Sequence, residues 1–174
     1  MSIIPNAYRQ IIDPLIDTAR GFVEAGESLA AIAFVGNLST RQTLAVPIDT
    51  ATPETKDRAA TLIRQVANEY AADFVFTVME AWTLPPRLAP RFEEVIKRYG
   101  SIGASPHRVD SVAFTLETRH GLWIAQGPLK PKGHSKRRKT FDPPKFDHMP
   151  EVEGRFSHLL PNKDDAEPTH HALH

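Results

Sequence analysis

The sequence predicts an α+β protein. Two main helices cover one face of a five-stranded, mostly antiparallel but mixed sheet in a two-layer sandwich, and a Pro-rich C-terminal tail follows. Three observations carry this expectation. Residues 74–82 (FVFTVMEAW) form a nearly continuous β-branched and aromatic run, which at this length reads as a central strand covered on both faces. Two earlier stretches repeat apolar residues at three-and-four spacing, the mark of one helix face. Residues 109–117 alternate, with Val112, Phe114 and Leu116 against Ser111, Thr115 and Glu117, as a half-buried strand does.

The first helix is read from Tyr8, Ile11, Ile12, Leu15, Ile16, Ala19, Phe22 and Val23, with Asp13, Asp17, Arg20 and Glu24 on the polar side. Asn6 is its candidate cap and Gly26 its stop. Pro14 removes a helical hydrogen bond, so a bend or break near Asp13 is expected. Residues 31–35 and 43–46 are short apolar runs around Gly36 and Asn37, which tolerate positive φ and suggest a hairpin with a longer loop. Thr52 as N-cap and Pro53 at the first helical position open a second helix, whose buried stripe is Ala59, Leu62, Ile63, Val66, Ala67 and Tyr70. After the 74–82 strand, Pro85, Pro86 and Pro90 make the chain irregular, and residues 91–99 form a short helix ended by Gly100. His120 and Gly121 turn the 109–117 strand into a second one at 122–125. A crossover through the second helix joins parallel strands, hence the mixed sheet.

The domain is expected to span residues 1–128 and the tail 129–174. The tail is read as largely extended or disordered, because Pro128, Pro131, Pro143, Pro144, Pro150, Pro161 and Pro168 interrupt it and apolar residues are sparse. Phe141, Phe146, Met149, Val152, Phe156, Leu159 and Leu160 are the residues that would let part of it dock. Charge is segregated along the chain. Residues 1–128 carry −2, residues 129–139 carry +6, and residues 140–174 carry −4, within a net charge of zero over 174 residues. Zero cysteines exclude disulfides, thiolate metal sites and cysteine nucleophiles. No apolar run is long enough to span a bilayer, and there is no signal-peptide pattern, so a cytoplasmic protein without a membrane partner is expected.

Candidate chemistry centres on Glu80, which shares a strand face with Phe74, Phe76, Val78 and Trp82 and therefore calls for a partner. Arg108 is the expected one, in a structural ion pair between the central strand and the loop before the 109–117 strand. Adding His107 and Asp110 gives the inventory of a small hydrolase or other acid–base enzyme. A metal version would draw on Glu80, His107, Asp110 and His120, but no H-x-H or H-E-x-x-H spacing supports it, so no metal is assigned. His148, His158, His170, His171 and His174 are scattered through the tail and read as incidental. Gly100 and Gly103 lack the context of a dinucleotide loop, and no P-loop or G-x-S-x-G motif occurs, so no cofactor is expected. Trp82 and Trp123 read as packing residues.

The other signal is the cluster Lys130, Lys132, Lys136, Arg137, Arg138 and Lys139, which suits electrostatic attachment to nucleic acid or a protein partner. No aromatic residue is interleaved, so backbone contact rather than base stacking is expected. The leading expectation is a non-enzymatic binding or regulatory module with a basic tail, and the acid–base enzyme is the alternative.

Met79-Glu80-Ala81-Trp82, Ser105-Pro106-His107-Arg108 and Glu117-Thr118-Arg119 together resemble a pattern in a group of uncharacterised small bacterial and phage proteins. There, a strand ends Ser-Glu-Ala-Trp and a later loop reads Ser-x-His-Pro-x-Arg before a hairpin. The resemblance covers roughly residues 28–128. Met79 stands where the group has serine, and Pro106 precedes His107 instead of following it. The resemblance implies an α+β domain with a two-part site in a phage or bacterial accessory protein, and no reaction.

Overall fold

The computed structural model describes residues 3–150 and 158–161. Val152, Phe156, Pro168, His170, His171 and His174, read above as tail features, lie outside the described residues. Helix α1 (Asn6–Glu24) buries Tyr8, Ile12, Ile16, Ala19 and Val23. It runs unbroken through Pro14, where a bend or break was expected. Pro14 sits on the exposed side, so its missing N–H costs little, and the Thr18 hydroxyl donates to its carbonyl at 2.9 Å. Pro5, not Asn6, occupies the cap position, without a side-chain cap.

Strands β1 (Ile32–Asn37) and β2 (Gln42–Pro47) form the expected hairpin. Gly36, however, lies inside β1 rather than in the turn. A Cβ there would fall 2.2 Å from the Phe74 ring, so glycine is required for close approach. Helix α2 (Pro53–Glu69) opens on Thr52 and Pro53 as the sequence predicts. Thr52 and Thr55 exchange side-chain-to-backbone bonds of 3.1 and 3.0 Å, a reciprocal cap that satisfies two otherwise unpaired helix N–H groups.

Strand β3 (Phe74–Thr83) then enters the sheet between β1 and strand β4 (Val109–Thr118). Between β3 and β4 lie a 3-10 turn (Ala89–Arg91) and helix α3 (Phe92–Tyr99). Strand β5 (Gly121–Pro128) pairs with β4. A small hairpin of β6 (Lys130–Pro131) and β7 (Lys139–Thr140) follows, and β8 (Asp147–Met149) returns to pair with β5. The main sheet has six strands among the described residues, in the order β2-β1-β3-β4-β5-β8.

The α+β class, the antiparallel sheet and the two main helices are as the sequence predicts. Two details differ. Among the described residues no parallel pair occurs in the sheet, because α2 joins β2 to β3 across the intervening β1. Both strands run antiparallel to β1, so they share a direction without touching. The two helices also lie on opposite faces. Phe74, Phe76 and Val78 pack with the α1 stripe, together with Val112, Phe114, Leu116 and Trp123. Val75, Ala33 and Val35 pack with Ala59, Ala60, Ile63 and Ala67 of α2. Every residue from Phe74 to Val78 is buried, which is why the run reads as apolar without alternation.

The tail departs from a largely extended or disordered segment, and Phe141, Phe146, Leu159 and Leu160, named above as able to dock it, do so. Pro128 does not end the packed core. Phe141 is 2% exposed and joins the α1-side core, with its ring 5.7 Å from Phe114. The Arg20 guanidinium lies 4.8 Å over that ring and donates to the Phe141 carbonyl at 3.1 Å. Gly127 leaves the space: a Cβ there would sit 3.0 Å from the ring. Phe146 adds a second ring beside Phe114, and His148 packs on Trp123 at 4.8 Å. Leu159, also 2% exposed, plugs the α2 side. Prolines limit regular structure here, but a few large apolar side chains suffice to fix an irregular segment against a core.

Phe141→Ala should therefore destabilise the protein by about 3–5 kcal/mol, as expected for a buried aromatic. Urea unfolding measures this. A loss below about 0.5 kcal/mol, the range of surface substitutions, would show that the tail contributes nothing to the core.

Candidate functional site

Strand β1 stops at Ile32, opposite Val78, whereas β4 accompanies β3 to Thr83. Among the described residues the second half of β3 therefore has one neighbouring strand. The chain entering β1 through Leu29 and Ala31 diverges from it, and the split opens a cleft of about 690 Å³. Its walls include Leu29, Lys56, Met79, Glu80, Trp82 and Asp110. Trp82 is 54% exposed, the most of any large apolar residue here except Ile3.

The predicted site residues reach this region but do not form the predicted constellation. Glu80 does not pair with Arg108. Its carboxylate accepts the Leu29 N–H at 3.0 Å, bracing the chain that enters β1. The register gives the reason. Val109 faces Thr83, so Arg108 falls opposite position 84, four residues or about 13 Å beyond Glu80. Arg108 instead donates to the Gly103 carbonyl at 2.8 Å and lays its guanidinium 5.5 Å from the Trp82 ring. His107 stands against Tyr99, ring centroids 6.2 Å apart. Asp110 faces Trp82 across the ladder and is the diagonal neighbour of Glu80, at roughly 7–8 Å. All four side chains belong to exposed residues.

Glu80 and Asp110 thus share the cleft, while His107 and Arg108 belong to the loop beyond it. His120 lies at the far end of β4, roughly 30 Å from Asp110 along the strand. Among the described residues no group of three His, Asp or Glu is placed to hold a metal ion. What the cleft offers chemically is recognition: two carboxylate acceptors, one ammonium donor at Lys56 and an indole face. Sequence reasoning missed the cleft and Gly103. A Cβ on Gly103 would sit 2.6 Å from the Trp82 ring, so this glycine seats the loop on the indole.

The basic cluster is also placed. It forms the β6–β7 hairpin, not an extended linker. Lys130 pairs with Asp142, and Lys132 with Glu24 at 2.8 Å. Glu24 also accepts from the Thr140 hydroxyl at 2.9 Å. These hydrogen bonds, Lys132 foremost, hold the Glu24 carboxyl below its ordinary range. Ser135 accepts from the N–H groups of Arg137 and Arg138, which shapes the loop. Lys136, Arg137, Arg138 and Lys139 are exposed and have no carboxylate partner among the described residues.

A displaced carboxyl can be a sign of function; here the displacement has a structural explanation. Glu117, on the α2 face, is raised above the usual carboxylate range by burial, against the opposing effect of N–H bonds from Leu159 and Leu160. Its two oxygens receive the Leu159 N–H at 3.0 and 2.8 Å, so the residue clamps the 158–161 segment. A comparison with protein-family models, curated proteins and solved structures finds no match for the chain. No described helix is long and apolar enough to cross a membrane.

The raised Glu117 value has a defined consequence for stability. Folded chains hold this proton over a pH range in which unfolded chains have lost it. The stabilisation is complete below the ordinary carboxylate value of about 4.3 and is lost as pH rises through the folded value. Glu117→Gln keeps an acceptor for the Leu159 N–H and cannot ionise. Urea midpoints measured from about pH 4 upward should shift in favour of the variant as pH rises and level off once pH passes the folded value. A difference independent of pH, or one that grows in favour of wild type, would contradict the assignment.

Proposed function

We propose that the protein is a cytoplasmic, non-enzymatic binding module that attaches to the phosphate backbone of nucleic acid through its basic hairpin. The observation that carries this reading is the hairpin itself: four exposed cations without carboxylate partners among the described residues, on its loop and returning strand, in a hairpin tied to α1 through Glu24. Lys130 and Lys132, on the outgoing side, serve a different role, since Asp142 and Glu24 neutralise them. Those two pairs hold the hairpin, and the other four cations present charge to solvent. Fixing the backbone lowers the ordering cost of binding relative to an extended tail. These guanidinium and ammonium groups suit phosphate contacts, which position without reading sequence.

The alternative of a small acid–base enzyme requires Glu80, His107, Arg108 and Asp110 to act on one reacting atom. Glu80 braces Leu29 and Arg108 is spent on Gly103 and Trp82, so the arrangement gives that reading no support. An accessory role in a bacterium or its phage fits a small nucleic-acid-attaching module.

The test is fluorescence anisotropy with a labelled 20-mer duplex over 25–200 mM salt. Neutralising four phosphates gives a log–log salt slope of roughly −3.6 for wild type. In the variant with Lys136, Arg137, Arg138 and Lys139 all replaced by alanine, the slope should fall close to zero. A scrambled duplex of the same length should bind equally well. An unchanged slope in the variant would move the contact elsewhere on the chain. Absence of wild-type binding at 25 mM salt would remove nucleic acid as the partner.

A further inference from the structure

The cleft beside β3 has a feature that its side chains do not show. In an antiparallel ladder, the backbone groups of successive residues point alternately to the two neighbouring strands. The Leu129 N–H donates to the Asp110 carbonyl at 2.8 Å, so Asp110 directs its backbone groups toward β5. Its ladder partner Trp82 must then direct its own away from β4, and so must Glu80, two residues earlier. Further back, Val78, Phe76 and Phe74 face β1 in the same way, opposite Ile32, Phe34 and Gly36. Beyond Ile32 this pairing stops. The Ala31 carbonyl turns to the Ile48 N–H on the β2 side, and the Leu29 N–H takes the Glu80 side chain instead of backbone. The N–H and C=O of Glu80 and Trp82 have no hydrogen-bond partner among the described residues.

We propose that this half-edge is a strand-addition site for an extended peptide bearing lysine or arginine. Four backbone groups at alternate positions along an open strand edge match another extended backbone and little else. The cleft has the volume of a ligand site, about 690 Å³, and three or four extended residues span only about 10–13 Å. Side chains select the peptide. Glu80, Trp82 and Asp110 project from the same face of the sheet, since Trp82 pairs with Asp110 and Glu80 lies two residues away. A cationic side chain on that face meets two carboxylates and the half-exposed indole ring. Arg108 and Gly103 back that ring and hold it in place. On the other face, Met79 and Ala31 accept a small apolar side chain. The basic hairpin begins at Lys130, next to Leu129 of the cleft wall, but its cations take no part in the proposed contacts, so the two proposals are tested through different residues.

The test uses full-length protein and capped pentapeptides, starting with acetyl-Val-Lys-Val-Lys-Val-amide, followed by amide NMR shifts. Binding should move the Glu80 and Trp82 amides. Peptides with glutamate or threonine in place of lysine separate the charge requirement from the backbone one: glutamate should abolish binding, and threonine should weaken it. An added strand uses the N–H of every second residue. N-methylation at odd positions and at even positions should therefore differ by at least tenfold in affinity, one being lost and the other kept. Asp110→Asn should weaken the lysine peptide several-fold and leave the threonine peptide unchanged. In the free protein, the Glu80 and Trp82 amides should exchange with solvent much faster than the Val78 amide. Slow exchange at both, equal effects of the two methylation patterns, or no shift with the lysine peptide at about 2 mM would each overturn the proposal.

Discussion

Strand β3 is buried on both faces from Phe74 to Val78, and most of the molecule follows from that arrangement. A strand with two dry faces needs a helix on each, so α1 and α2 must divide between them. The division fixes which residues of every neighbouring strand point to which core, because a slip of one residue would exchange the two. It also explains Gly36, whose missing side chain makes room for the Phe74 ring. One buried hydroxyl, that of Thr77, has no hydrogen-bond partner in this dense centre among the described residues. The packing evidently offsets that cost.

The same strand is asymmetric along its length. Its first half is enclosed, and its second half runs beyond β1 into the cleft with alternate side chains exposed. Structural and accessible chemistry are therefore separated along a single ten-residue strand. The basic hairpin lies near this end as well, since Leu129 is bonded to Asp110 and Lys130 follows directly. The turn between β4 and β5, and the clamp on the 158–161 segment by Glu117, are the quieter parts of the structure.

Much of the fold was legible because its signals are local. The apolar run 74–82, the Thr52–Pro53 helix start and the alternation in β4 each report their own burial. Helix layering was not legible: the α1 and α2 stripes say that each needs a face, not which one. Strand register was not legible either, and it decided the site. Glu80 and Arg108 look like partners in the sequence, yet four residues of register separate them. Trp82 and Asp110 were both singled out as individuals; only the ladder shows that they are opposite each other. Composition, which averages over the tail, suggests a largely extended segment, whereas Phe141, Phe146 and Leu159, legible one by one as residues able to dock it, fix it to the core.

Strand β8 is only three residues long, but it has a consequence for solubility. It covers Leu122, Trp123 and Ile124 of β5, and Gly121, at φ +124, leaves room for the His148 imidazole to reach the His120 carbonyl. Without it, β5 would end the sheet with a bare hydrogen-bonding edge flanked by large apolar side chains, which is a template for chain-to-chain polymerisation. With it, the outermost strand carries Asp147 and His148 and is too short to recruit another copy. The proline-rich segment thus acts as a guard rail along this edge of the sheet.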